Sequence, residues 1–148
     1  MLVVDHGGRV IKTIGDEVLF VADDPAAAAE VALAMAERGE DPRDRMPQVR
    51  AGLAYGAVVS RLGDVYGPTV NIAARLTSVA RPGTVLVDRG GYEALSGRPE
   101  DAEPEGEGSG GAGGESGGDA DAPYVFRRLR RTPVKGYARL QPWVLRRR

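Results

Sequence analysis

The sequence lacks cysteine in all of its 148 residues, which excludes disulfide bonds, cysteine zinc sites, iron–sulfur clusters and a cysteine nucleophile. It has one histidine, His6, which argues against a histidine-rich metal centre and against a Ser–His–Asp triad. No apolar run approaches the roughly 20 residues of a membrane helix. The first residues also lack the basic and apolar regions of a signal peptide. We therefore expect a cytoplasmic protein without a membrane segment.

Aromatic residues are scarce as well, at 5% of the chain, whereas 42% of the residues are hydrophobic. Any core must therefore be built mainly from Ala, Val, Ile and Leu. The length suits one domain rather than two.

The formal charge of −1 conceals a split between two segments. Residues 100–121 carry eight acidic and no basic residues, and residues 122–148 carry nine basic and no acidic ones. Within the acidic segment, residues 106–118 contain eight glycines in 13 positions, too little apolar surface to offset the entropy of ordering. We predict a disordered acidic linker at 98–123 between a body at 1–97 and a terminal strand pair at 124–148 of the same domain.

Alternating β-branched residues on both sides of Gly15-Asp16 predict a hairpin over residues 9–21. Asp24-Pro25 is a typical helix start, and Gly39 is the expected stop. Further helices are predicted from Gly67-Pro68-Thr69 to about Val79 and over residues 89–95.

The other predicted strands include a pair at 48–55 and 58–60, which turns at Gly56-Ala57. A further strand is expected at 84–87, and two terminal strands at 124–129 and 137–145, with Tyr124, Phe126 and Trp143 as apolar anchors. Strands interleaved with helices indicate an α/β or α+β sandwich. We expect a mainly antiparallel sheet with the helices on one face.

Three polar clusters are candidates for chemistry. Lys12 and Asp16 lie in the hairpin, where an acid beside glycine has room for a hard metal ion. Asp64 lies between two glycines just before a helix. Asn71 and Arg75, spaced i, i+4, share one face of that helix and can grip a phosphate or a ribose oxygen. Each cluster taken alone also fits a plain turn or a solvated helix face.

Taken together, these clusters resemble the catalytic domain of class III adenylate and guanylate cyclases, most closely the bacterial type. The carrying stretches are Lys12–Asp16 (KTIGD), Gly52–Gly56 (GLAYG), Gly63–Leu76 (GDVYGPTVNIAARL) and Ala80–Val87 (ARPGTVLV). Lys135-Gly136 is similar to the C-terminal strand pair of the family. The resemblance implies a ferredoxin-like, palm-type α+β sandwich that acts as a head-to-tail dimer, here a homodimer or a pairing with another cyclase-type chain.

The resemblance also implies a role for each matching residue. Asp16 matches an acid that binds the catalytic Mg²⁺ or Mn²⁺ ions. Lys12 and Asp64 match the pair that reads adenine, which implies ATP as substrate rather than GTP. Asn71 matches the residue that orients the ribose, and Arg75 the one that stabilises charge on the phosphoryl group. The implied reaction forms cyclic AMP and pyrophosphate from ATP.

The sequence departs from the family at its start, because only 15 residues precede Asp16. The family has an earlier strand there that carries a second metal-binding acid. We therefore expect a domain without its first strand and first helices, and weak or absent activity for this chain alone.

Three other interpretations remain open at this point. The chain could be a non-catalytic nucleotide-binding or dimerisation module. The basic tail could contact nucleic acid phosphates, although its arginines alternate with apolar residues as on a solvated strand face. A diguanylate cyclase is a related alternative that the Asn71 and Arg75 helix disfavours.

Overall fold

The computed structural model describes residues 2–43, 47–97, 115–116, 123–130, 132–134 and 137–148. The helices are α1 (Leu2–Asp5), α2 (Pro25–Glu40), α3 (Pro68–Val79) and α4 (Arg89–Ser96). The strands are β1 (Gly8–Ile14), β2 (Glu17–Ala22), β3 (Ala51–Leu53), β4 (Val59–Arg61), β5 (Asp64–Tyr66), β6 (Val85–Val87), β7 (Glu115–Ser116), β8 (Tyr124–Arg128), β9 (Thr132–Val134), β10 (Tyr137–Leu140) and β11 (Trp143–Arg147).

A five-stranded sheet with the order β3-β6-β11-β8-β7 organises the chain. The pair β3–β6 is parallel, and the other neighbours in this sheet are antiparallel. Three two-stranded units, β1–β2, β4–β5 and β9–β10, accompany it. Of the linker predicted at 98–123, the structure describes only residues 115–116 (β7) and 123, and Lys135-Gly136 also lies outside the described residues.

The predicted hairpin is present as β1 and β2, which pair from Gly8 opposite Ala22 to Ile14 opposite Glu17. Gly15 occupies the turn with φ +59°, a left-handed conformation that glycine adopts without strain. Asp16 is the other residue of this two-residue turn.

Helix α2 begins as predicted, with Pro25 in its first turn and the Asp24 carboxylate accepting the Ala26 N–H at 3.0 Å. The expected stop at Gly39 is wrong, because the helix continues to Glu40. A Cβ at Gly39 would lie 2.9 Å from the carbonyl oxygen of Pro47. The glycine therefore serves the close approach of the following loop, at a helix-propensity cost of roughly 0.5–1 kcal/mol.

The predicted strand pair at 48–55 and 58–60 is also wrong. Residues 51–53 instead pair in parallel with β6, whereas β4 pairs with β5 around a turn at Leu62-Gly63. Strand β6 is buried along its whole length, so pairing with it removes β3 from water more fully than a local hairpin would.

Helices cover both faces of the five-stranded sheet, which corrects the expectation of one covered face. On one face, Val85, Val87 and Leu145 pack with α2 and α4. On the other face, Leu86 and Val144 pack against Leu76 of α3. Neighbouring side chains of a strand point to opposite faces of the sheet, so successive residues of β6 and β11 pack alternately into two hydrophobic clusters.

The three predicted anchors of the tail are confirmed as core residues. Tyr124, Phe126 and Trp143 are all buried. Tyr92 of α4 stacks on Trp143 with ring centroids 4.5 Å apart, and its ring meets Phe126 edge-on at 5.1 Å. The tail is therefore part of the core of the body, consistent with the arrangement of aromatic pairs in protein interiors.

The second predicted terminal strand is divided into β10 and β11 at Gln141-Pro142. Proline has no N–H to donate to a strand ladder, which favours an interruption here. The buried Gln141 amide donates to the carbonyl oxygens of Leu129 at 2.6 Å and Pro142 at 3.0 Å. These two buried carbonyls at the interruption therefore have hydrogen-bond donors within the protein.

A polar network of Glu30, Glu37, Tyr124 and Arg147 joins the tail to α2. The Tyr124 hydroxyl donates to Glu30 at 2.7 Å. The Arg147 guanidinium donates to Glu30 at 2.6 Å and to Glu37 at 2.7 Å. We call these four residues the tail network.

Among the helices of the described residues, none is long and apolar enough to cross a membrane.

Candidate functional site

Lys12 and Asp64 lie 52 positions apart in the sequence and form an ion pair in the structure. The Lys12 ammonium donates to the Asp64 carboxylate at 2.9 Å, because the hairpin strand β1 runs beside β5. The Lys12 side chain is 42% exposed and the Asp64 side chain 27% exposed, so both can still reach a ligand.

The environment of Asp64 favours its ionised form. The hydrogen bond from Lys12 is the largest cause that lowers the pKa of this carboxyl, and the bond from the Val65 N–H at 2.8 Å is the next. Asp64 therefore stays an acceptor at neutral pH, with an ammonium donor beside it. Such a pair can bind a neighbouring donor and acceptor on one flat ligand edge.

Asn71 and Arg75 lie on the exposed face of α3, as the sequence predicts. The opposite face carries Leu76, which is fully buried. Ala74 is exposed as well, whereas Ile72 packs against the core.

Gly52 determines how closely α3 approaches the sheet. A Cβ at this position would lie 2.5 Å from the carbonyl oxygen of Ala73 and 2.6 Å from the amide nitrogen of Thr77. Any larger residue would push the helix away from β3. Glycine therefore sets the depth of the helix that carries Asn71 and Arg75.

Asp16 lies exposed in the hairpin turn. The structure brings together Lys12 and Asp64 among the five predicted site residues. The side chains of Asp16, Asn71 and Arg75 form no hydrogen bond or ion pair with another described residue. They are therefore available to a ligand or to a second chain.

A metal centre is not complete within the described ranges. These contain no group of three or more His, Asp or Glu side chains placed to hold an ion. Mg²⁺ takes about six oxygen ligands, usually one or two protein carboxylates together with substrate phosphates and water. Asp16 supplies one such carboxylate and does not by itself complete a two-metal site.

Sequence reasoning did not single out Asp88 or Thr69, which organise the surroundings of α3. Asp88 caps α4 and is buried, and this desolvation raises the pKa of its carboxyl. The signal was present, since an aspartate directly before a helical segment is a typical N-cap. Thr69 had no comparable signal, because its partner lies twelve positions away.

Comparisons with known proteins agree with this architecture. The adenylate and guanylate cyclase catalytic domain family matches residues 1–110 of the chain. An adenylate cyclase of Streptomyces coelicolor is 41% identical over 151 aligned positions, which cover 99% of this chain and 39% of that protein. An adenylate cyclase of Glutamicibacter nicotianae is 41% identical over 140 positions, covering 94% of this chain and 28% of that protein.

Solved structures show the same fold. The catalytic core of a rhodopsin-guanylyl cyclase with converted specificity, in complex with ATPαS, superposes with a TM-score of 0.73 at 22% identity. It covers 99% of this chain and 74% of that one. The adenylyl cyclase CyaB from P. aeruginosa gives 0.68 at 20% identity, covering 98% and 74%.

The fold is thus the palm-type α+β fold of cyclase catalytic domains. The chain belongs to the adenylate and guanylate cyclase catalytic domain family. It spans less than half the length of the two adenylate cyclases from Streptomyces coelicolor and Glutamicibacter nicotianae.

Proposed function

We propose that this chain is an adenylate cyclase domain that binds ATP through the Lys12–Asp64 pair and forms cyclic AMP and pyrophosphate at a homodimer interface. The ion pair of 2.9 Å between these two residues is the observation that carries the proposal. The names of the similar adenylate cyclases support ATP as the substrate class.

The chemistry of the pair matches the edge of adenine. Adenine presents a ring-nitrogen acceptor beside an exocyclic amine donor, whereas guanine presents a donor and a carbonyl acceptor at the equivalent positions. The Lys12 ammonium donates only, and the ionised Asp64 carboxylate accepts only. The pair therefore favours adenine, and guanine would place like groups against each other.

Asn71 and Arg75 act on the rest of the nucleotide in this proposal. The Asn71 amide orients the ribose, whose 3′-hydroxyl attacks the α-phosphorus. The Arg75 guanidinium stabilises negative charge that develops on the phosphoryl group, an interaction that is strongest in the transition state. Their separation by one helical turn places both side chains along the same exposed face of α3.

The metal requirement limits what the chain does alone. Bound Mg²⁺ or Mn²⁺ would activate the attacking hydroxyl and stabilise the leaving pyrophosphate. Asp16 is the candidate ligand, yet the described residues form no complete site around it. We propose accordingly that the isolated chain turns over ATP weakly or not at all.

Exposed apolar side chains near the site residues support association with a second copy or with another cyclase-type chain. They are concentrated on the hairpin, the β3–β4 loop and the β4–β5 unit: Ile14, Val18, Tyr55, Val58, Val59, Leu62 and Tyr66. Leu62, at the turn of β4–β5, is 96% exposed. Large apolar side chains exposed together on neighbouring elements are typical of an interaction site.

The test measures binding and turnover separately. Calorimetry with MnATP and MnGTP determines nucleotide preference, and a coupled assay determines cyclic AMP formation by the purified chain. Tighter binding of ATP than of GTP supports the proposal, and equal binding contradicts it. Turnover that Asp16→Ala and Arg75→Ala both abolish would show that the chain alone is an active cyclase.

A second function, a non-catalytic nucleotide-binding or dimerisation module, is favoured by the incomplete metal site. It predicts the same ATP preference without cyclic AMP, even after addition of excess Mn²⁺. Cyclic AMP formation in the turnover assay, however slow, therefore selects the first function, whereas the binding assay tests what the two functions share.

A further inference from the structure

The β3–β4 loop, residues 54–58, lies between two helices and contacts both. On one side it meets α4 through Asp88, and on the other it meets α3 through Thr69. Neither residue matches a catalytic or substrate position in the proposed mechanism. Their contacts form a continuous connection from the buried end of β6 to the first turn of α3.

The first half of the connection is a buried carboxylate. One oxygen of Asp88 accepts the Tyr55 N–H at 3.2 Å and the Gly91 N–H at 2.8 Å. The Asp88 N–H donates to the Leu53 carbonyl at 3.1 Å. The same residue thus caps α4 and holds the chain as it leaves β3.

Glycine makes this contact close. A Cβ at Gly90 would collide with the Tyr55 carbonyl oxygen. The first turn of α4 therefore packs directly on the loop backbone, and the Asp88 hydrogen bonds have little freedom to lengthen.

The second half of the connection is a side-chain hydroxyl. Thr69 donates to the Ala57 carbonyl at 2.9 Å, and a Cβ at Gly56 would lie 2.7 Å from the same hydroxyl. Thr69 lies in the first turn of α3, whose N-cap, Gly67, makes no side-chain capping bond. The Thr69 hydroxyl therefore supplies a side-chain hydrogen bond at a helix start that has no side-chain cap.

We propose that Asp88 and Thr69 are positioning residues that clamp the β3–β4 loop between α4 and α3 and thereby fix the first turn of α3, which carries Asn71. The inference rests on the proposed function for the role of Asn71. Asn71 lies two positions after Thr69 and is exposed, so the backbone of this turn determines where its amide lies. A shift of about 1 Å in a positioning group can cost about 100-fold in rate.

The test uses matched variants of the full chain. Thr69→Val removes the hydroxyl at nearly constant shape, and Thr69→Ser keeps it. Asp88→Ala removes both accepted hydrogen bonds, and Asp88→Asn keeps an oxygen that can accept them. Amide hydrogen exchange by NMR monitors residues 55 and 70–72, and the Asn71 side-chain amide resonance is followed during titration with ATP.

Thr69→Val is expected to speed exchange at residues 70–72 by at least about fivefold, whereas Thr69→Ser stays near the wild-type rate. Asp88→Ala should speed exchange at Tyr55 and at residues 70–72, and Asp88→Asn should do so less. Thr69→Val should also reduce the ATP-induced shift of the Asn71 side-chain resonance while the Kd for ATP stays within about twofold, because Lys12 and Asp64 lie on other elements.

Unchanged exchange at residues 70–72 in Thr69→Val would overturn the clamp. Faster exchange with an unchanged Asn71 response to ATP would overturn its role in positioning. If the wild-type chain binds no ATP, the proposed function fails, and the exchange rates alone then decide whether the clamp exists.

Discussion

The tail network and the predicted site residues differ in how their polar groups are satisfied. In the tail network, Glu30 accepts bonds from both Tyr124 and Arg147, and Glu37 accepts another. In the site, Lys12 and Asp64 contact each other, whereas Asp16, Asn71 and Arg75 contact no other described side chain through hydrogen bonds. The first region joins the tail to α2, and the second exposes polar groups to water, where a ligand can reach them.

This difference has a consequence for mutations. Substitutions in and around the tail network should change stability, whereas substitutions among the site residues should change nucleotide binding and leave stability almost unaltered. Stability and function are separable here because the site side chains bury little surface.

The largest expected effect is the loss of Trp143 from the core beneath the tail network. Trp143→Ala removes a buried ring that stacks on Tyr92, and should lower the free energy of unfolding by about 3–5 kcal/mol. Urea denaturation followed by circular dichroism measures this change. Asp16→Ala is the control among the site residues. If it lowers the free energy of unfolding by more than about 1 kcal/mol, the separation of stability from nucleotide binding is contradicted.

Glu30→Ala should lower the free energy of unfolding by about 1–3 kcal/mol, because it leaves the Tyr124 hydroxyl and one side of Arg147 without their acceptor. Glu37→Ala removes one bond to a more exposed carboxylate and should cost less than about 1 kcal/mol. Equal losses of unfolding free energy in the two variants would show that Glu30 contributes no more to stability than Glu37 does.

The Glu30 contribution should also depend on pH. The hydrogen bond from Arg147 lowers the pKa of this carboxyl below its ordinary 4.5. A lowered carboxyl pKa stabilises the folded state above the unfolded pKa, and the contribution is lost as the pH falls through the folded value. The difference in stability between wild type and Glu30→Gln should therefore shrink below about pH 4.5 in urea titrations.

Asp64→Ala should weaken ATP binding about tenfold, or about 1.4 kcal/mol, by removing the acceptor that the Lys12–Asp64 pair offers to adenine. GTP binding should change by less, and the free energy of unfolding by about 0.5 kcal/mol or less. Calorimetry and urea denaturation measure the two quantities. Asp23→Ala, an exposed acid at the end of β2, is the matched control. An equal loss for ATP and GTP would refute adenine selection by this residue.

The last effect appears only at alkaline pH. Burial, followed by the hydrogen bond to Glu30, raises the pKa of Tyr124 from 10 to about 12. The raised pKa stabilises the fold below pH 10, and that contribution disappears as the pH rises towards 12. Ultraviolet difference spectra of wild type against Tyr124→Phe should place its ionisation near 12. Glu30→Gln should lower this pKa, and an unchanged value would show that burial alone sets it.

Local patterns in the sequence predicted the elements that depend on nearby residues. The hairpin around Gly15-Asp16, the start of α2 at Asp24-Pro25 and the helix after Gly67 all follow from turn and capping preferences. The resemblance to cyclases also placed Lys12 and Asp64 in one site, and the structure brings them into contact. The roles of the five site residues in catalysis remain predictions.

Strand pairing was not predictable in the same way. For residues 51–53, a local hairpin with 58–60 satisfied the sequence pattern as well as the parallel pairing with β6 does. Likewise, the short run Val85–Val87 does not show by itself that both of its faces are covered, since brief apolar runs look alike in half-buried and fully buried strands.

The sequence by itself determined the helix starts, the hairpin and the membership of the chain in its family, because these depend on residues close together or on motifs of defined spacing. Only the tertiary structure decided which strands are neighbours, which faces are buried and that Asp88 and Thr69 hold one loop between two helices. The physical reason is that burial and hydrogen bonding between distant segments are chosen by the whole fold, and a single stretch of sequence carries no record of its partner.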